Sequence, residues 1–571
     1  MRYHVVISVI ILFNSIVYHR YFNNPVSIVD RAELRYDYIV VGGGTAGCVV
    51  ASRLSEMSNV TVLLVEAGGY FNWLSMIPLA APLMQGSAND WSFKTEPQLF
   101  SSKGLENHRQ SYPLGRGLGG SGQLNYLVHS FGKPEDFQNW PNGWTHDDLL
   151  PYFENVASTM NVESIPTDGE LIQAFLHAGK SVPTEDASFH PASSTLRRGA
   201  RLSSYHAYLQ YAWHRNNLHV LTETRATKII FYNATTDGIE VTYKDDTQGV
   251  ILAKKEVILC AGSVNTPQLL MISGVGSSEE LERLGIPIVS NRSNVGKNLF
   301  DHLNVPLYVN LEAPISATLR KIQSISEVYK YFVSGTGLLA TNGIIGLASL
   351  NGSGIIFFSG ASADEKLLKN IANFKTETFR AMFPSHNNTS HEGFLYLTSC
   401  WQPKSRGTIS LRSASIFDPP VIDPAYLEND DDVECIQKAI KLALQTLDTK
   451  LFREFGARIH VPDLDDCRHW KQDYLDDDYS ECVMRTAGLT SHHPCGSCQM
   501  GTNDDAVVDE YLRVKGVNGL RIADASILPS PISGTPNSVI IAIANRAVDV
   551  ILGHSTARFN SFLKTKSQPN V

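Results

Sequence analysis

A doubly wound α/β fold, in which helices cover both faces of a parallel sheet, is predicted by three observations near the start of the chain. The apolar run Tyr36 to Val41 (YDYIVV) has the length of a buried strand and leads straight into Gly42-Gly43-Gly44-Thr45-Ala46-Gly47, a G-x-G-x-x-G. Positions 46–55 (AGCVVASRLS) then carry helical spacing, and Val60 to Val65 is a second apolar run of strand length. That second run ends on Glu66, 24 positions after Gly42, where a βαβ unit of this kind carries an acid.

Each element has a physical reason. Gly42 allows the tight turn, Gly44 lets backbone amides approach a pyrophosphate, Gly47 permits close packing of helix on strand, and Glu66 can accept from the ribose hydroxyls of an adenosine. The pyrophosphate would rest at the helix N-terminus, where unpaired N–H groups favour negative charge. A G-x-G-x-x-G alone is a weak signal. With strand, glycines, helix, strand and carboxylate in register it predicts a dinucleotide, without separating FAD from NAD.

Composition sets the class. At 571 residues, 43% hydrophobic and 18% charged, the chain is a large globular protein, not a disordered tail or a small disulfide scaffold. A formal net charge of -9 repels a phosphate backbone, which excludes nucleic acid as a partner. After the first few dozen positions no apolar run approaches the roughly 18 residues of a membrane span. Met1 and Arg2 precede an apolar stretch from Val5 to Val17 with the length of a signal-peptide core, so residues 1–24 are expected to be a cleaved signal and the mature chain to be secreted. A retained anchor is the alternative, because Tyr18, His19, Arg20 and Tyr21 are bulky for a cleavage site.

Six N-x-S/T sequons, at Asn59, Asn233, Asn291, Asn351, Asn387 and Asn388, fit a secreted glycoprotein; several are expected to go unused, since Asn59 lies beside a buried strand. The eight cysteines are too dilute to define the fold. Cys467 and Cys482 flank an acidic, loop-like segment and are the expected disulfide. Cys495-x-x-Cys498 has no second CxxC or H-x-x-x-H beside it, so it reads as two ordinary thiols or halves of separate disulfides, and no metal site is expected.

Two further glycine-rich blocks follow, Gly115-Arg116-Gly117-Leu118-Gly119-Gly120-Ser121-Gly122-Gln123-Leu124-Asn125 and the segment 262–276 (GSVNTPQLLMISGVG). With the first motif, and with RLSSYHAYL, RNNLHVLTETRATKIIF, VGKNLFDHL, PKSRGTISLRS and VVDEYLRVKGVNGLRIADAS, they make the chain resemble the glucose-methanol-choline (GMC) oxidoreductase family, in a secreted animal-type form, from Tyr36 to about Ile551. The resemblance implies FAD in a Rossmann-like domain assembled from residues 36–155, 203–300 and 487–555, the first of these including a lid and a cofactor loop. Residues 156–202 and 301–486 would form a sheet-based substrate domain above the isoalloxazine.

The resemblance also implies the cofactor contacts. Gly42, Gly44, Thr45, Ala46, Gly47, Glu66 and Ala67 come from the first motif, and Arg116, Leu118, Ser121 and Asn125 from the second. Backbone at Ala226 should meet the adenine, and Asp524 and Ala525, with Asn125, the pyrophosphate and ribityl region; Thr535 and Pro536 should reach the flavin. Leu118 stands where some members carry the histidine that tethers FAD covalently, so noncovalent FAD is expected. His129 stands where related chains have an aromatic residue; it either lines the pocket or makes a buried hydrogen bond.

Oxidising an alcohol removes a proton from the hydroxyl and a hydride from the carbinol carbon. Flavin accepts the hydride, and an imidazole, with an ordinary pKa of about 6.5, suits the proton. His492-His493-Pro494-Cys495-Gly496-Ser497-Cys498-Gln499-Met500-Gly501 resembles the family's H-x-x-G-T/S-C-x-M-G, which puts the base at His493. If the pair is extended, adjacent side chains point to opposite faces, so His492 is expected to be a hydrogen-bonded structural histidine. The family's second polar position, His or Asn, falls on Thr535, and Asn537 aligns with a different family Asn; both are catalytic candidates. Thr535 and Pro536 before VIIAIANRAVDVI also read as an N-cap and N1 of a buried helix, whose positive end the family directs at the flavin.

The implied reaction converts the hydroxyl of a small alcohol to a carbonyl, with molecular oxygen as acceptor, giving hydrogen peroxide, or a quinone in its place. Loss of the second polar partner favours an acidic alcohol, so an aromatic cyanohydrin such as mandelonitrile is the preferred substrate. The alternatives are a hydroxynitrile lyase on the same scaffold, a glucose dehydrogenase, and an FAD-holding protein without turnover.

Overall fold

The computed structural model describes residues 28–182, 186–212, 214–362 and 364–554; the expected signal segment 1–24 lies outside the described residues. Two seven-stranded sheets organise the chain. The first contains β1 (Arg35–Val41), β2 (Val62–Val65), β3 (Leu218–Leu221), β4 (Arg225–Tyr232), β5 (Thr235–Thr242), β6 (Gln248–Leu259) and β7 (Leu520–Ile522). Their order is β4-β5-β6-β1-β2-β3, with β7 also on β6.

β6 serves two partners along one edge because it is long. Gln248–Leu252 pair antiparallel with β5, while Val257–Leu259 pair parallel with β7. The remaining pairs β6–β1, β1–β2 and β2–β3 are parallel. Ile39, Val40, Leu63 and Leu64 are fully buried, as both faces of a parallel sheet are covered. Three helices matter for the site: α1 (Thr45–Leu54), α2 (Gly262–Ile272) and α3 (Asn537–Ile551), with α1 and α3 packed on each other. Chain direction across the sheet reverses at β1, between β2 and β6. The loops after the carboxyl ends of β1, β2, β6 and β7 therefore flank a crevice, the usual place for a nucleotide in an open α/β sheet.

The second sheet is antiparallel, in the order Arg458–Ile459, Leu303–Asn310, Gly393–Cys400, Ser353–Phe358, Ile344–Leu350, Ser188–Pro191, with Leu489–Thr490 against Leu303 and Asn304. Strand alternation divides its residues. Phe394 and Tyr396 bury in one core with Val433, Ile436 and Ile440 of the helix Asp430–Leu447, while Leu397 lines a cavity on the other side. That helix starts with Asp430, Asp431 and Asp432, and the Asn429 side chain accepts from Asp431 N, so charge and cap both suit its N-terminus.

The disulfide expected between Cys467 and Cys482 is present, and a second one, Cys400–Cys435, ties the strand Gly393–Cys400 to the helix beneath it. Cys495 and Cys498 are buried free thiols. Among the described residues no helix is long and apolar enough to cross a membrane, and no group of three or more His, Cys, Asp or Glu could hold a metal ion.

Candidate active site

A cavity of about 540 Å³ runs from the crevice of the first sheet to the second sheet. The first motif contributes Gly42, Gly44, Thr45 and Ala46, and the end of β2 adds Glu66 and Ala67. Ser121 and Asn125 enter from the second glycine loop, Ala226 from β4, and Asp524 and Ala525 from the turn after β7. Thr535, Pro536 and Asn537 lead into α3, and His492 and His493 close the same space.

Three of the sequence-predicted residues lie behind that lining. A Cβ on Gly47 would stand 1.8 Å from the Gly42 carbonyl oxygen, so this glycine sets how closely α1 approaches β1. Leu118 is buried against Gly43. Arg116 is exposed, with its guanidinium 5.1 Å from the ring centre of Trp91, which does line the cavity.

The loops fit a pyrophosphate. Gly42 has φ +103°, and a Cβ there would meet the Cys260 carbonyl at 2.5 Å. At Gly44 the nearest atom to an added Cβ is Gly120 Cα at 3.8 Å, so this side of the turn faces open space. α1 begins there without a side-chain cap, leaving its first N–H groups for a ligand. The Glu66 carboxylate holds the turn: Gly43 N–H donates to Oε2 at 2.7 Å and Gly68 N–H to Oε1 at 2.9 Å. Burial raises its pKa, opposed by those backbone donors. Gly117 adds a third backbone donor to the carboxylate, which still has lone-pair capacity for a ribose hydroxyl. Gly119 N–H donates to the Gly43 carbonyl at 2.8 Å, so the second glycine loop is fastened to the first.

Asp524 ties β7 to α2. Its Oδ2 accepts from Gly262 N–H at 2.8 Å and Thr266 Oγ1 at 2.6 Å, while Oδ1 accepts from the Ser526 N–H at 2.8 Å and hydroxyl at 2.6 Å. With both carboxylate oxygens taken up in this way, Asp524 shapes the cavity wall rather than presenting a free charge to it.

The histidines are arranged by a carboxylate. Asp301 is 5% exposed; its Oδ1 accepts from the backbone N–H groups of His302 and His493, each at 2.8 Å, and its Oδ2 from Tyr426 and Thr490 hydroxyls at 2.5 and 2.6 Å. His302 Nε2 lies 3.0 Å from the Trp401 carbonyl and His302 Nδ1 lies 3.0 Å from His493 Nδ1. A carbonyl only accepts, so Nε2 of His302 carries the hydrogen. Burial holds His302 down to about 4 and His493 well below 6.5, so both rings are neutral at pH 7. In neutral His302, Nδ1 is then the acceptor, His493 Nδ1 is the donor, and the free lone pair of His493 is on Nε2.

His492 differs from its sequence expectation. The pair is not extended: His492 has φ +60°, which turns the chain so that both imidazoles line one cavity. Its ring has no hydrogen bond among the described residues, whereas a hydrogen-bonded structural role was expected. Thr535 differs too. Its hydroxyl donates to the Val128 carbonyl at 2.7 Å, and α3 starts one residue after Pro536 with no side-chain cap, so Thr535 does not act as the N-cap. The physical reason is position: Pro536, already in the αR region, occupies the cap place, so Thr535 stands one residue outside it. Asn537 Oδ1 accepts from Thr45 Oγ1 at 3.2 Å, which joins the N-termini of α1 and α3. Of the two readings of His129, the buried hydrogen bond is observed, from Nδ1 to Ser538 Oγ at 2.7 Å.

Family models for GMC oxidoreductases match residues 36–304 and 403–544 of this chain. The chain belongs to the GMC oxidoreductase family. It is 37% identical to neither inactivation nor afterpotential protein G of Drosophila melanogaster, over 96% of this chain and 95% of that protein. It is 33% identical to an ecdysone oxidase of Bombyx mori, over 91% and 82% of the two chains. Among solved structures, pyridoxine 4-oxidase from Mesorbium loti superposes with a TM-score of 0.75 at 25% identity, covering 91% of this chain and 99% of that one. As a GMC oxidoreductase the chain is an FAD-dependent enzyme of the class that acts on CH–OH donors.

Three residues of this GMC chain were not singled out from sequence. Asp301 and His302 sit inside VGKNLFDHL, and an acid beside a histidine was the available signal. Arg201, in RLSSYHAYL, is 1% exposed; its Nη1 donates to Asn125 Oδ1 at 2.7 Å and the Gly122 carbonyl at 3.0 Å, and its Nε to the Ser75 carbonyl at 2.6 Å. Burial lowers its pKa to about 9, which leaves it charged at pH 7, holding the second glycine loop from behind.

Proposed function

We propose that this GMC enzyme oxidises the hydroxyl of an apolar alcohol to a carbonyl, with His493 as the base. The observation that carries the reading is the hydrogen-bonded series Trp401–His302–His493, which leaves an unprotonated Nε2 on a ring that lines the cavity. Bound FAD supplies the hydride acceptor. The Gly42–Gly44 turn with Thr45 and Ala46 would hold its pyrophosphate, Glu66 and Ala67 the ribose, Ala226 the adenine, and Asn125, Ser121, Asp524 and Ala525 the ribityl region. Gly47, Arg116 and Leu118 would support these from behind, and with Leu118 in the tethering position FAD is held noncovalently. Thr535, Pro536 and Asn537 bring the positive end of α3 to the flavin, where negative charge gains about 0.3–1 kcal/mol or more.

His493 Nε2 receives the hydroxyl proton, and His302 keeps the ring from turning. The cavity wall carries Leu79, Phe358, Ile371, Phe374, Phe379 and Leu397, together with the amides of Gln85, Asn304 and Asn342. Apolar side chains predominate on that wall, so sugar hydroxyls turned toward them would each cost about 1–3 kcal/mol. An alcohol on an apolar body fits, and the aromatic cyanohydrin preferred from sequence falls in that class while glucose does not. We assign residues 36–155, 203–300 and 487–555 to the cofactor half and 156–202 and 301–486 to the substrate half. Secretion is supported by the sequons, since all six asparagines are exposed. Oxygen, giving hydrogen peroxide, is the acceptor of choice, with a quinone as the alternative.

The test is an anaerobic titration of the holoenzyme with benzyl alcohol, mandelonitrile and glucose, air being readmitted at the end. The oxidised flavin band should bleach with the aromatic alcohols and recover in air. Bleaching by glucose alone overturns the substrate class. Benzaldehyde and cyanide from mandelonitrile without bleaching make the chain a lyase.

A further inference from the structure

A hydroxyl losing its proton to a base leaves an oxygen that gathers negative charge, and a donor aimed at that oxygen lowers the barrier. Thr535, at the family's second polar position, has a single hydroxyl hydrogen, and that hydrogen is directed to the Val128 carbonyl. Asn537 Oδ1 is tied to Thr45 at the start of α1, which sets its amide beside the pyrophosphate turn. His492 lies next to the base in sequence, is turned by φ +60° into the same cavity, and offers a ring without a hydrogen-bond partner among the described residues.

We infer, resting on the alcohol-oxidation reading above, that His492 donates a hydrogen bond to the substrate oxygen and so fills the place that Thr535 does not. The division of labour is complementary. His493 Nε2 accepts the hydroxyl proton, and the single N–H of neutral His492 holds the oxygen from which that proton leaves. Burial lowers His492 to about 4, so at pH 7 it is a neutral donor and not a second cation beside the base. The left-handed backbone at a non-glycine residue is what brings two neighbouring imidazoles to one cavity, since an extended pair would send them to opposite faces.

The experiment compares two ligands that cannot be oxidised. 2-Phenylpropan-2-ol has no carbinol hydrogen, and isopropylbenzene is its analogue without the hydroxyl; their Kd values are measured on the holoenzyme by flavin fluorescence. His492→Gly accepts positive φ and removes the donor, while His492→Asn accepts positive φ and restores an N–H. The preference for the alcohol over the hydrocarbon should fall about tenfold in His492→Gly, the worth of one buried hydrogen bond, and return in His492→Asn. With benzyl alcohol, kcat/KM should fall about 100-fold in His492→Gly. Asn304, whose Oδ1 has no partner among the described residues, also lines the cavity, so Asn304→Ala is measured alongside. An unchanged preference in His492→Gly, or its loss in Asn304→Ala alone, overturns the inference. If the native enzyme oxidises no alcohol of the panel, the function proposal fails, whereas the ligand preference still decides the role of His492.

Discussion

Replacing His302 by Phe keeps the ring's shape and removes both of its nitrogens. His493 Nδ1–H, now 3.0 Å from an acceptor, then has none, and the Trp401 carbonyl loses its donor as well. A buried group left unpaired costs about 1–3 kcal/mol. Because the unpaired ring can also turn or exchange tautomers, most of that cost falls on the step in which His493 takes the proton, so flavin reduction by benzyl alcohol should slow roughly 10- to 100-fold. The assay is anaerobic stopped-flow absorbance at matched FAD content. His302→Asn offers a carbonyl oxygen near the place of Nδ1 and should recover part of the rate, which a merely structural role would not predict. Reduction within twofold of the native rate in fully FAD-loaded His302→Phe would refute the tautomer argument. So would equal rates in the Phe and Asn variants.

Three further outcomes follow from the same structure. Gly47→Ala places a Cβ 1.8 Å from the Gly42 carbonyl and should lower the Tm of the apoprotein as well as abolish FAD binding, whereas Gly44→Ala, with 3.8 Å of clearance, should weaken FAD binding at unchanged apoprotein Tm; fluorescence titration and scanning calorimetry separate the two. Acid should destabilise the fold. His302 falls from 6.5 to about 4 on burial, so between these values the unfolded chain binds a proton that the native ring refuses, and stability on the order of 3 kcal/mol, present above pH 6.5, is lost toward pH 4; urea midpoints that do not fall across that window would contradict the neutral assignment. Expression through a eukaryotic secretory pathway should give a chain that loses mass on treatment with an N-glycosidase, as six exposed sequons predict.

The nucleotide half was legible because its signals are local. Strand, glycine turn, helix and acid lie within residues 36–66, and the turn's backbone geometry leaves little freedom in residue type, so spacing alone located the cradle. The proposed base was legible by resemblance, through the segment around His493. The disulfide Cys467–Cys482 was read from a short acidic loop, whereas Cys400–Cys435 joins a strand to a helix, and nothing near either cysteine marks the other.

What the sequence by itself determined was the βαβ unit and the family, and it singled out His493 as the candidate base. Which nitrogen of that histidine is free was decided by His302, 191 positions away, and the side of the chain on which His492 lies was decided by one backbone dihedral. The same holds for Thr535, whose hydroxyl was assigned to the helix from its neighbours but bonds to Val128 across 407 positions. A hydrogen bond depends on distance and direction in space, and residue spacing carries that information only when both partners belong to one local element.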